Sequence, residues 1–167
     1  MKLIIAAIYI VTITYVHLRG RVRHKPGRQL GDHSTFLAPL NCVLYLFSKL
    51  PNKPYLDPAD FPDLRPLQEH WQEIRAEAQN LIHAGEIKRS SHYDDVGFNS
   101  FFKTGWKRFY LKWYGDSHPS AKKLCPRTTE LVQGIGSIKA AMFAELPPGS
   151  RLGRHRHPYA GYYRHHL

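Results

Sequence analysis

Trp106-Lys107-Arg108-Phe109-Tyr110-Leu111-Lys112-Trp113-Tyr114 is the stretch on which the fold class turns. It is rich in aromatics, alternates in part, and is bounded by Gly105 and Gly115. Aromatic side chains suit a pleated, half-buried surface and glycines end such runs, so the pattern predicts a strand. Lys103, Lys107, Arg108 and Lys112 interleave with Trp106, Phe109, Tyr110 and Trp113. A single-stranded nucleic-acid groove uses that interleaving. A half-buried strand in any basic protein shows it too, and this is the plainer reading.

Upstream the period changes. Leu64, Leu67, Trp71, Ile74, Ala78 and Leu81 recur three and four apart, while Glu69, Glu73, Arg75 and Glu77 lie off that stripe. One amphipathic helix follows, capped by Asp63 and stopped at Gly85, with the stripe as a packing surface. Before it, Pro51, Pro54, Pro58, Pro62 and Pro66 predict an extended linker. Downstream, Thr129 to Ile138 suggests a short helix weakened by Gly134 and Gly136, and Ala140 to Glu145 a strand. Leu146-Pro147-Pro148-Gly149 is a turn. Arg151 to His157 reads as another strand, with one more beginning after Gly161. Helices first and short strands later predict an α+β fold.

Leu3 to Leu18, LIIAAIYIVTITYVHL, contains no Asp, Glu, Lys or Arg. As a helix it reaches about 24 Å at roughly 1.5 Å per residue, slightly short of the bilayer core of roughly 30 Å. Tyr9, Tyr15 and His17 suit positions nearer the interfaces, and local thinning absorbs the mismatch. A cleaved signal peptide would need a small-x-small site after the apolar core, and here the core ends in His17-Leu18-Arg19-Gly20-Arg21. A helix packed on a soluble core is less expected, with no charged residue on any face. An uncleaved anchor fits best. Arg19, Arg21, Arg23 and Lys25 follow it and only Lys2 precedes it, which orients the rest of the chain toward the cytoplasm, at the inner membrane. Phe36 to Leu50, FLAPLNCVLYLFSKL, is interrupted by Pro39 and Asn41 and is too short to span. It fits an interfacial or re-entrant helix and equally a helix packed on the soluble domain.

The 167 residues suffice for one domain with a moderate core. A formal charge of +11 admits nucleic acid, an anionic membrane or acidic small molecules as partners. The membrane anchor removes the usual reason for nucleic acid. Cys42 and Cys125 have no CxxC spacing and suggest free thiols rather than a disulfide framework.

The C-terminal stretch carries the candidate chemistry. On a strand, His155 and His157 would face one side, where two imidazoles can share a metal. An HxH also occurs on plain basic surfaces. Arg151, Arg154, Arg156 and Arg164 suit carboxylate or phosphate, or form a solvated face.

Several segments together resemble the aspartyl/asparaginyl β-hydroxylase family. They are Asp95-Val96-Gly97-Phe98-Asn99, the run from Phe101 to Tyr114, Ser120-Ala121, Leu124-Cys125-Pro126, and Ala140 to Pro147 leading into Arg154-His155-Arg156. Arg28-Gln29-Leu30, Asp32-His33-Ser34-Thr35-Phe36 and the anchor resemble its lipid A hydroxylase branch. The resemblance implies a double-stranded β-helix, or jelly-roll, in which Fe(II) and 2-oxoglutarate support hydroxylation of a C–H bond, here on an acyl chain of lipid A or a related anionic lipid. By position, His155 matches the first iron-binding histidine, and Arg164 and His166 match an Arg-x-His pair that holds 2-oxoglutarate. The lipid A branch has His-Arg-Asp-Pro where this chain has His155-Arg156-His157-Pro158. His157, a second candidate metal ligand, thus replaces a carboxylate and leaves the site one negative charge poorer. The family's second iron-binding histidine and a further arginine are expected beyond Leu167, so the barrel is expected to be incomplete and the 167 residues alone inactive.

These readings divide the chain into an anchor and basic flank over 1–25, a membrane-proximal segment and Pro-rich linker over 26–62, and the N-terminal part of a hydroxylase-like domain over 63–167. The rival reading is a non-catalytic, membrane-anchored basic protein that binds anionic lipid head groups. Both expect carbonate extraction to leave the intact chain with the membrane pellet. Release of intact chain into the soluble fraction would contradict the anchor.

Overall fold

Where each segment finds partners for its apolar and polar groups decides its place in the fold. The protein is described from a computed structural model, which covers residues 1–20, 22–51, 53, 55–87, 106–151, 157 and 159–167. Asp95-Val96-Gly97-Phe98-Asn99, the run 101–105, His155 and most of the strand expected over 151–157 lie outside the described residues. The chain forms two units, one of Met1–Tyr55 with Leu152–His166, the other essentially Leu56–Arg151.

The first unit is helical. The uncharged run folds as α1, Lys2–Arg19, long and apolar enough to cross a membrane. Its side chains stay largely bare: Leu3 is 86 % and Ile10 65 % exposed, whereas Val16 is buried. After it come α2 (Pro26–Leu30), α3 (His33–Phe36) and α4 (Ala38–Phe47). Pro26 opens α2, where its missing N–H costs nothing. Asp32 caps α3 by accepting the Ser34 N–H at 2.9 Å. Gln29 is buried and fully engaged. Its amide donates to the Thr35 hydroxyl at 2.8 Å, that hydroxyl donates to the Gln29 carbonyl, and Oε1 lies 3.1 Å from His17 Nδ1. The Arg28–Phe36 stretch therefore fastens α2 and α3 to the end of α1. The second apolar stretch becomes α4, which packs on α1 within this unit and puts Ala38 at zero exposure.

The second unit is α+β. Short 3-10 turns at Pro58–Asp60 and Pro62–Leu64 lead into α5 (Arg65–Glu69) and α6 (Trp71–His83). The single helix expected from the stripe is broken at His70, whose ψ of 21° leaves the helical range. The break turns Trp71 out of the stripe: it is 45 % exposed, with the Arg75 guanidinium 5.9 Å from its ring. Leu67, Ile74 and Leu81 are buried as expected. Asp63 does not cap the helix but accepts from the Ser137 hydroxyl. Gly85 does stop α6. At φ +67° it allows Glu86 N–H to reach Leu81 O at 2.9 Å and its own N–H to reach Ile82 O at 3.0 Å, the paired bonds of a Schellman ending.

β1 (Lys107–Trp113) pairs antiparallel with β2 (Ala140–Glu145), and the register shifts between Tyr110 and Lys112. A bulge there leaves Leu111 without an opposite residue. Between the strands lie α7 (Pro119–Leu124) and α8 (Pro126–Gly134), each opened by a proline. Leu81, Ile87, Phe109, Leu111, Ala121 and Cys125 form one cluster, and Leu67, Ile74, Val132 and Ile135 a second. Ala141 and Phe143 of β2 pack against both. Burial of each large side chain contributes about 1.5–3 kcal/mol. The turn after β2 has Pro148 and Gly149 at its centre, with Gly149 at φ +75° and Ser150 N–H on Pro147 O at 3.0 Å.

Among the described residues there are two strands, in one antiparallel sheet, and they do not form the two sheets of a jelly-roll. The strand expected to begin after Gly161 is absent: residues 159–167 have no strand pairing, and the Ala160 N–H goes to Asn41 Oδ1 at 2.9 Å instead.

One carboxylate joins α6 to α8. Glu77 accepts the Arg127 N–H at 3.0 Å, the Thr128 N–H at 2.8 Å and the Thr128 hydroxyl at 2.5 Å. It thus satisfies donors at the start of α8 that no residue of α8 can reach. Beside it Arg127 bonds Glu73 at 2.7 Å and Glu130 at 2.8 Å. The Glu73 carboxyl is held below its ordinary range, first by His70 and then by Arg127. Urea unfolding of the full chain should show Glu77→Ala losing about 1–3 kcal/mol, as expected for a lost cap plus charged hydrogen bonds. Wild-type stability in that variant would contradict the cap.

Candidate functional site

The described part of the C-terminal stretch is organised by aromatic rings. His157 is half-buried, its Nδ1 lies 2.9 Å from the Tyr162 hydroxyl, and the two rings meet edge to face at 5.4 Å. Tyr159 and Tyr162 are tilted against each other at 6.0 Å. A Cβ at Gly161 would run into the far end of the Tyr159 ring, so the ring takes up space that glycine leaves open. These rings, with Arg19, Tyr45 and Lys53 of the same unit, line a cavity of about 220 Å³.

Arg164 and His166 are exposed, two residues apart on the tail. The His166 pKa is lowered, first by partial desolvation and then by the charges of Arg164 and His165. The lowered value favours a neutral imidazole beside a permanent guanidinium, a pair suited to a carboxylate. His155 lies outside the described residues, so its distance to His157 is not part of this geometry. Among the described residues no three His, Cys, Asp or Glu side chains converge on a possible metal position.

On β1, Arg108 and Lys112 are 8 % and 6 % exposed, and Lys107 is paired with Glu145 at 3.2 Å. The strand does not present the open row of cations that a nucleic-acid groove needs, and the plainer half-buried reading describes it. Cys125 is fully buried at the start of α8, and desolvation, assisted by Glu77, pushes its thiol up to about 12. That rules it out as a thiolate nucleophile at neutral pH.

Sequence reasoning missed Arg19, Tyr45 and Lys53 as neighbours of His157. Arg19 read only as basic flank and Lys53 only as part of the Pro-rich linker. No local pattern pairs residues more than a hundred positions apart.

Residues 68–167 match the family model described as Aspartyl/Asparaginyl beta-hydroxylase. The chain belongs to that family. Over 122 residues it is 34 % identical to the ornithine lipid ester-linked acyl 2-hydroxylase of Rhizobium tropici, a match covering 72 % of this chain and 43 % of the relative. The chain thus spans less than half the length of that hydroxylase. No solved structure matches it.

The arrangement of the C-terminal tail makes one pH prediction. In an NMR titration the His166 ring should gain its proton below the ordinary imidazole range, and Arg164→Gln should move that pKa upward by removing a repelling charge. A downward move, or none, would separate the two side chains.

Proposed function

We propose that this chain is part of a membrane-seated, Fe(II)- and 2-oxoglutarate-dependent hydroxylase acting on an acyl chain of lipid A or a related anionic lipid. The carrying observation is membership of the β-hydroxylase family together with likeness to a hydroxylase whose name specifies a lipid acyl chain. The exposed apolar helix α1 is compatible with a lipid substrate, since the enzyme must meet it at the bilayer. The basic residues after α1 favour the inner membrane with the folded units on the cytoplasmic side.

In this reading His155 and His157 are the candidate metal ligands, and Arg164 and His166 hold the cosubstrate. When bound, iron and 2-oxoglutarate supply the oxidising chemistry. The Arg164 guanidinium gives a planar, permanently charged fork for a carboxylate, and a neutral His166 can donate one further hydrogen bond. The Tyr162 contact would fix the ring orientation of His157, as an outer partner does for a metal-binding imidazole. A jelly-roll formed jointly with residues outside those described would supply the walls that exclude water.

A second reading has a specific observation in its favour. The formal charge of +11 suits a non-catalytic basic protein that binds anionic head groups. Mass spectrometry of lipids from cells producing the whole protein of which this chain is proposed to be a part separates the two. The hydroxylase reading expects an acyl chain heavier by one oxygen, lost on His155→Ala. Unmodified lipid in wild-type cells, with the protein still membrane-bound, would favour the binder.

A further inference from the structure

Charge is divided unevenly between the two units. Met1–Tyr55 with Leu152–His166 holds 11 Lys and Arg side chains and a single carboxylate, Asp32. Leu56–Arg151 is near balance, with 13 basic and 12 acidic side chains. Ten of the eleven net positive charges thus lie in the unit that carries the bare apolar helix. Asp32 is already engaged, capping α3 and lying 3.4 Å from His24. The cations of this unit must find their counter-charge outside it.

Arg19, at the end of α1, shows this need most clearly. Its guanidinium carbon lies 4.4 Å from the centre of the Tyr45 ring, and one terminal nitrogen reaches the Tyr15 hydroxyl at a long 3.4 Å. Its Nε is buried with no hydrogen-bond partner among the described residues. A buried charged donor without an acceptor is costly, and an oxyanion held against the same guanidinium would offset part of that cost. Arg19 lines the 220 Å³ cavity together with Lys53 and the hydroxyl-bearing Tyr159, Tyr162 and Tyr163. The volume is below the roughly 300–1,000 Å³ of pockets for drug-sized ligands. It suits a compact polar group whose remainder lies outside.

That remainder is apolar by the same geometry. Tyr45 and Ser48 line the cavity, and between them Leu46 and Phe47 are 77 % and 81 % exposed, while Leu18, next to Arg19, is 56 % exposed. A soluble anion would gain nothing from these surfaces, whereas the chains of a lipid would cover them.

We infer that the cavity is a site for the oxyanionic head group of a membrane lipid, with Arg19 and Lys53 as its cationic contacts and tyrosine hydroxyls as its neutral ones. The inference rests on the lipid-directed reading above and deepens it by naming the residues that hold the head group.

The test is binding of pyrene-labelled phosphatidylglycerol to the full chain in dodecyl maltoside, without iron or 2-oxoglutarate. Binding should saturate and be competed by unlabelled phosphatidylglycerol, but not by phosphatidylcholine or inorganic phosphate at equal concentration. Arg19→Gln and Lys53→Gln should each weaken it about tenfold, the scale of one charge-assisted contact, and Lys122→Gln in the other unit should leave it unchanged. Circular dichroism controls for misfolding of Arg19→Gln, and Lys53→Gln alters an exposed side chain. Unchanged affinity in both variants overturns the site. Equal competition by phosphatidylcholine overturns the need for an oxyanionic head group, and equal competition by inorganic phosphate reassigns the cavity to a free anion, against the inference. Failure to hydroxylate lipid would bear on the proposed function alone, because this binding needs no cofactor.

Discussion

Helix α1 sets the terms for everything attached to it. It is an 18-residue helix whose apolar side chains are mostly uncovered. Leaving a side chain such as Leu3 or Ile10 in water rather than an apolar surrounding costs about 1.5–3 kcal/mol. Summed along the helix, that cost exceeds the net stability of a typical domain, about 5–15 kcal/mol. A lipid surrounding would remove the cost, and in the proposed reading the residues that follow match it. The Gln29, Thr35 and His17 bonds hold α2 and α3 against the end of α1, and Asn41 holds the tail at Ala160. The same end carries Arg19 and the aromatic cavity, so the proposed anchor and the proposed head-group site share one short stretch of chain.

The second unit solves a different problem, that of holding two short strands together with few residues. An isolated two-stranded ribbon is marginal in water. Here β2 gains stability by packing Ala141 and Phe143 against both apolar clusters. The helices that supply those clusters are held in place by Glu77, which reaches from α6 to the start of α8. Alkali should loosen this unit, because the buried Cys125 thiol is raised from 9.0 to about 12. The unfolded chain releases that proton first, so the thiol's contribution is intact below pH 9 and is lost as pH rises toward 12.

Features governed by local chemistry were legible in the sequence. The uncharged run gave α1, Gly85 gave the end of α6, and the aromatic run between glycines gave β1. Non-local features were not. Glu77 read only as a residue off the apolar stripe, because its partners lie 50 residues on. The break at His70 was hidden because its side chain bonds Glu73 in the next helix while the apolar period continues across it. α7 was overlooked and α8 was expected to begin later, although Pro119 and Pro126 are ordinary helix-opening residues. For the candidate site, family likeness named His155, His157, Arg164 and His166, while the cavity needed the folded chain to bring Arg19 and Lys53 to the tyrosines.

The central claim is that a lipid acyl chain is oxidised with molecular oxygen by a protein seated in the same membrane. The most direct measurement grows cells producing the whole protein of which this chain is proposed to be a part under isotopically heavy oxygen gas and examines their acyl chains by mass spectrometry. The account predicts a hydroxyl group on an acyl chain whose oxygen carries the heavy isotope. A hydroxyl bearing ordinary oxygen, drawn from water, or no protein-dependent hydroxyl at all, would contradict it.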